Sequence, residues 1–319
     1  MLRFLGTLFA LCAIWLPLQA QQEERYSQFM LNKLGINPAY AGAQGGVTVS
    51  SLVRSQWLGL EGAPETQLLS FSVPVWNQNI GLGANLARQT IGVSSNYSVE
   101  TSYSYRLRAP RGYLHIGLQT SLRMLRTDFS RLKGTQPISQ DQAVPSNIQS
   151  KLVPNFGVGL YYDSENFYIG LSTPRLLKSN IDLSDDQGPI SKEVQHLYFM
   201  TGFVIPMGEN ASLQPNILFR YVKSAPVEAD INLTLIFLDQ FSVGASYRPG
   251  GARDKGLGES ISLLTSVQLS DKILFGIAYD MTLTELRNYT DGTVEGVLRL
   301  TMSGKSSNSG RSVDSPRDF

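Results

Sequence analysis

Two histidines, His115 and His196, and many serines and carboxylates are the residues of this chain with the means to do chemistry. A hydrolase needs a His within reach of a Ser and a carboxylate. Serine is so abundant here that finding one near a His selects nothing. Two separated histidines without thiols make a poor zinc centre. The single cysteine, Cys12, lies in an apolar N-terminal stretch. A chain processed after that stretch would hold no thiol for a disulfide, a metal or a nucleophile. Gly81-Leu82-Gly83-Ala84-Asn85 lacks the following helix of a phosphate-binding loop. The expectation is no catalytic residue, no metal and no cofactor. More telling are Arg54 and Glu100, which face away from their apolar neighbours. A charge withdrawn from water needs a partner. Arg106 and Glu295 are candidate partners, in a structural role first.

The elements that present such residues to one side are strands. In Tyr97 to Leu107, Tyr97, Val99, Thr101, Tyr103, Tyr105 and Leu107 share one face, and Ser98, Glu100, Ser102, Ser104 and Arg106 the other. Leu114, Ile116, Leu118, Leu122 and Met124 likewise oppose His115, Gln119, Ser121 and Arg123. Val227 to Phe237 repeats the pattern, with Glu228, Asp230, Asn232 and Thr234 on the polar face. Charges recurring on one face of consecutive apolar strands do not suit a soluble sandwich core. They suit a polar lumen behind a lipid-facing wall. The alternation predicts an all-β, antiparallel transmembrane outer-membrane barrel of about 14 strands. They fall near 47–57, 65–76, 79–88, 95–108, 113–127, 152–163, 166–173, 193–206, 211–223, 226–238, 240–248, 259–269, 272–281 and 292–302. Short connections alternate with longer ones, Gln89–Ser94 being placed among the longer and Ser224-Ala225 being the exception. Membrane barrels keep short turns in the periplasm and longer loops outside. An even count then predicts a multi-pass outer-membrane protein with both termini periplasmic.

Composition agrees. Charged residues are 17% of the chain, below the ~25% usual for soluble domains. Mean hydropathy is only −0.09, far from that of a helical membrane protein. Net charge is +1, from 27 Lys+Arg and 26 Asp+Glu, which offers no footprint for nucleic acid. Residues 1–20 read as a signal peptide, with Arg3, an apolar Phe4 to Leu18 stretch and Leu18-Gln19-Ala20 before a polar step. Residues 21–46 read as a periplasmic or plug segment holding the turn-rich Asn37-Pro38-Ala39-Tyr40-Ala41-Gly42. Residues 47–302 are the barrel, and 303–319 a flexible polar tail.

Several motifs together resemble the PorP/SprF family of type IX secretion system membrane proteins. Tyr26-Ser27-Gln28-Phe29-Met30 with Asn32, then Asn37 to Gly42, is similar to its N-terminal signature. Arg54-Ser55-Gln56-Trp57 followed by Gly62-Ala63-Pro64-Glu65-Thr66 is similar to its first hairpin. Ala278-Tyr279-Asp280 with Leu283 and Glu295 resembles its final hairpin, although Gly292-Thr293-Val294-Glu295 departs from the usual Gly-Ser-His-Glu. The resemblance implies a non-enzymatic barrel of the secretion and gliding machinery, set in outer-membrane lipid. Its partners would be periplasmic ring lipoproteins and associated proteins, and the C-terminal domain of a large secreted adhesin. Asn37, Pro38, Tyr40 and Gly42 would serve a partner or a plug. The long loops, Asp128–Lys151 and Pro174–Lys192 above all, would hold client specificity. A passive porin or small-solute transporter is the alternative, and single-channel conductance separates the two.

Overall fold

Alternating side chains force each strand to present two different solvents, and the strands meet that demand by closing on themselves. The computed structural model describes residues 24–131, 148–183, 192–223, 225–250 and 258–302. The expected signal peptide, the expected tail and most of the Asp128–Lys151 loop lie outside the described residues. The strands are β1 (Val47–Ser55), β2 (Glu65–Val75), β3 (Ile80–Ile91), β4 (Ser94–Ala109), β5 (Gly112–Asp128), β6 (Ile148–Ser164), β7 (Phe167–Thr173), β8 (His196–Phe203), β9 (Ile205–Pro206), β10 (Ala211–Val222), β11 (Glu228–Phe237), β12 (Phe241–Arg248), β13 (Ser260–Ser270), β14 (Ile273–Thr282) and β15 (Thr293–Met302). β9 continues β8 in the same register against β10, past an interruption at Val204. The wall therefore has fourteen staves. Each pairs antiparallel with its sequence neighbours, and β15 pairs with β1 to close the barrel. Among the described residues every stave has a strand neighbour on each side, as a lipid environment requires.

Polarity is inside out. On β4, Ser98, Glu100, Ser102 and Ser104 are buried, whereas Val99, Tyr103, Tyr105 and Leu107 are exposed. On β5, His115, Gln119 and Ser121 are buried, while Ile116, Leu118 and Leu122 are exposed. So wide an apolar exterior is untenable in water and is the outer face of a membrane barrel. No helix among the described residues is long and apolar enough to cross a membrane; the strands do the crossing.

One mouth is trimmed by short turns, such as Trp76 to Asn79, where Trp76, Asn77 and Gln78 all have positive φ. The other carries the longer connections between β1 and β2, β5 and β6, β7 and β8, β12 and β13, and β14 and β15. Gln89–Ser94 was expected among these and is instead a tight hairpin. β3 and β4 run on to Ile91 and from Ser94, and Gly92 turns the chain at φ 55°. β6 also starts earlier than expected, at Ile148 rather than near 152, because it pairs with β5 as far as Asp128.

The core lies in the bore. Residues 24–46 run through the lumen as three single 3-10 turns, Phe29–Leu31, Lys33–Gly35 and Pro38–Tyr40, joined by irregular backbone. Phe29, Leu34, Ile36, Ala39, Tyr40 and Ala41 pack on Tyr161, Tyr168, Tyr198, Met200 and Leu218 of the wall. A second cluster joins Tyr26 to Leu52, Leu68 and Val297. Val47 pairs with Met302 at the short-turn mouth, as an even count requires. The described amino end does not stay with them. Arg25 meets Glu228 and Glu259 at the long-loop mouth.

Candidate functional site

The site is the filled lumen and its charged upper rim. Its lower part is built around Asn37. The Asn37 side chain caps the turn at Pro38–Tyr40 by accepting from the Ala39 amide at 2.9 Å. Proline at the first position of that turn already has the required φ and no amide to satisfy. The Asn37 Nδ2 then donates to the Leu160 carbonyl of β6 at 2.9 Å. Tyr40 sits edge-on to Tyr161, with centroids 5.2 Å apart. Gly42 turns the chain at φ +71°, and its amide donates to Ser72 Oγ at 2.8 Å. The wall makes room by omitting side chains. A Cβ on Gly81 would lie 1.9 Å from the Ala41 carbonyl oxygen, and one on Gly117 would lie 2.2 Å from the Ala39 amide nitrogen. Lys33 is buried between rings, its Nζ 4.3 Å from the Tyr168 centroid and 5.2 Å from that of Tyr40. Such π faces favour a desolvated ammonium.

Near the long-loop mouth the hold is ionic. Arg54 of β1 donates to Asp280 at 2.7 Å and to Glu295 at 2.9 Å, with all three side chains almost wholly buried. The plug completes the cluster. Ser27 Oγ donates to Asp280 and accepts from Arg54, and the Ser27 and Gln28 amides donate to the two oxygens of Glu295 at 2.9 and 2.8 Å. Arg54 and Glu295 face each other across the β1–β15 closure. The first and final hairpin motifs thus meet at one seam. Trp57 leaves β1 at φ 51°, and its amide donates to Thr293 Oγ1 at 3.1 Å. The Gln56 amide donates to the Pro64 carbonyl. Thr66 is buried opposite Arg54. Tyr279 faces outward and donates to the Asp291 carbonyl.

Two neighbouring groups extend this ionic rim. Arg220 and Arg248 both meet Asp230, which lies on a strand face already read as polar. Arg123, Arg175 and Asn155 converge on Glu193. Glu100 pairs with Arg175 at 3.5 Å. Arg106, considered above as a lumen partner, reaches Gln78 and lies 4.4 Å over the Tyr113 ring, near the short turns. Ser27 and Gln28 stood in the N-terminal signature with nothing to tie them to the charges, and residue types gave no clue to Arg25 or Glu193 as members of the site. Their signal was positional: each comes close to a charge only once strands far apart in sequence become neighbours.

The histidines have separate settings. His115 Nε2 meets Asp163 at 2.8 Å near the short turns. His196 Nδ1 lies 3.0 Å from the Val194 carbonyl at the other mouth. Among the described residues no cluster of three His, Cys, Asp or Glu is arranged to hold a metal ion.

A family profile described as type IX secretion system membrane protein PorP/SprF matches residues 18–300. The chain belongs to that family. No curated protein matches it. Among solved structures it is similar to the outer membrane protein Omp33 of Acinetobacter baumannii, at 12% identity over 82% of this chain and 100% of that one, with a TM-score of 0.43. It is also similar to the monoaromatic hydrocarbon channel CymD, at 12% identity over 86% and 91%, with a TM-score of 0.48. A TodX variant, also a monoaromatic hydrocarbon channel, aligns at 11% identity over 84% and 92%, with a TM-score of 0.48. The matched PorP/SprF region takes in the plug, the seam and nearly all of β15. The PorP/SprF chain is thus an outer-membrane β-barrel whose bore holds its own amino-terminal segment.

Proposed function

We propose that this PorP/SprF barrel is a non-enzymatic scaffold of the type IX secretion and gliding machinery. Its short-turn face and C-terminal tail meet periplasmic ring lipoproteins. Its long loops hold the C-terminal domain of a large exported adhesin. The observation that carries this reading is the filled lumen: a barrel packed with its own chain presents surfaces rather than a passage. Buried charges of both signs at the seam favour a rigid frame, since each is held by partners from several elements. The seam also ties the first and final hairpin loops together, so the long-loop face is a composite of distant sequence. Loops set on such a frame are suited to recognition.

The test is an affinity pull-down of the full chain, solubilised from its native outer membrane, with mass spectrometry of what co-purifies. Recovery of ring lipoproteins, or of an adhesin with a C-terminal sorting domain, is expected. Recovery of the barrel alone, under conditions that preserve a control membrane complex, would overturn the proposal. In planar bilayers the intact protein is expected to give no steady open-pore current.

A further inference from the structure

The plug contacts follow one direction through the barrel. Arg25 meets Glu228, the first residue of β11, and Glu259, which directly precedes β13; both places open on the long-loop mouth. Ser27 and Gln28 bind Glu295, the third residue of β15 on that same side. Asn32 donates to Ser70, midway along β2. Asn37 reaches Leu160, four residues before the short-turn end of β6. Ala41 and Gly42 meet Ser104, Ser72 and Gly81 beside the short turns. The chain then enters β1 at that mouth. Eighteen residues reach at most roughly 60 Å when extended. That span exceeds an apolar band of about 25 Å even with single 3-10 turns included.

We infer that residues 25–42 thread the barrel from the long-loop mouth to the short-turn mouth, so Glu24 opens on the side of the long loops, opposite Met302 at the carboxyl end of the barrel. The start of the plug and the end of the last stave then lie at opposite faces of the membrane. The amino end joins the long-loop surface that would meet an exported partner. The last residue of β15, Met302, stays with the short turns. The threading holds whichever partner is served, so its failure and that of the scaffold reading are separable.

Glu24 is half-buried and borders a cavity of about 340 Å³ at the long-loop mouth, with Arg123, Arg175 and Glu193. Arg25 beside it is 8% exposed, yet its carboxylate partners are 31% and 32% exposed. The outermost clasp therefore touches solvent, whereas the Arg54 cluster beneath it does not.

Thiol labelling in intact cells tests the threading. In a Cys12→Ala background, each of Glu24→Cys, Leu60→Cys and Glu209→Cys carries a single thiol. Leu60 lies in the β1–β2 loop and Glu209 in the short turn before β10. A membrane-impermeant maleimide is applied before and after permeabilisation. Glu24→Cys is expected to label under the same condition as Leu60→Cys, with Glu209→Cys showing the opposite dependence. Labelling of Glu24→Cys in step with Glu209→Cys would overturn the inference. An epitope inserted between Gln22 and Glu23, with a matched epitope in the β1–β2 loop, provides a second readout if the thiol at position 24 is shielded. Detection of both epitopes on intact cells supports threading. Detection of the loop epitope alone, with the other appearing only after permeabilisation, refutes it.

Discussion

At the scale of single residues, the arginine of the seam has the largest expected effect. Arg54 is the common partner of Asp280 and Glu295. Replacing it with Met leaves two carboxylates buried without their cation, a loss of about 3–5 kcal/mol for broken buried pairs. Arg54→Met is expected to lower the temperature at which the folded band is lost on heat-modifiability gels. An unchanged temperature would show that the cluster contributes no net stability. Asn37 acts differently, since its side chain both caps a turn and bonds to the wall. Asn37→Ala is expected to weaken plug docking by about 0.5–2 kcal/mol, the usual range for a lost cap. Protease sensitivity of residues 24–46 in the purified protein reads this out. At Gly81 the constraint is steric, because any Cβ meets the Ala41 carbonyl. Gly81→Val is expected to displace the plug and let current through a bilayer, while the barrel still forms.

At the scale of elements, strand and plug obey different rules. A strand depends on its outward face. Leu118 lies near the middle of β5 and is 56% exposed. Leu118→Arg puts a cation into lipid, at about 2–4 kcal/mol if the site is at the midplane. Folding yield into bilayers is expected to fall sharply for Leu118→Arg and much less for Thr290→Arg in the β14–β15 loop. The plug has no strand partner and little regular structure. Its backbone groups are met by wall side chains and turn bonds, as at Asn85 with the Leu34 carbonyl and Ser172 with the Ile36 carbonyl. Deleting residues 24–42 is expected to leave a barrel with a steady conductance. If the deletion variant stays silent, the lumen is blocked by something other than this segment.

At the scale of the whole molecule, much was legible in sequence because a membrane wall imposes a period of two on every stave. Tyr97 to Leu107 needs only that rule to read as a strand, and β4 spans it. Alternate side chains face lipid and lumen, so fourteen such segments announce a barrel before any pairing is known. The tight Gly92–Val93 hairpin escaped this reading, since polar residues near a strand end look like loop until a neighbour is there to pair with them. Charge alternation offered Glu295 as a partner for Arg54, and family motifs brought Asn37 and Asp280 forward beside them. Nothing local linked them, because their separations in sequence run to 241 residues for Arg54 and Glu295. Barrel closure alone makes β1 and β15 neighbours, and only the filled bore puts Ser27 among them. The amino acid sequence by itself thus determined the wall, its polarity and the family, because these rest on local periodicity and short motifs. Tertiary structure decided which buried charges pair, where the plug lies and which staves Arg25 meets, because each depends on distances between staves that meet only when the sheet has closed.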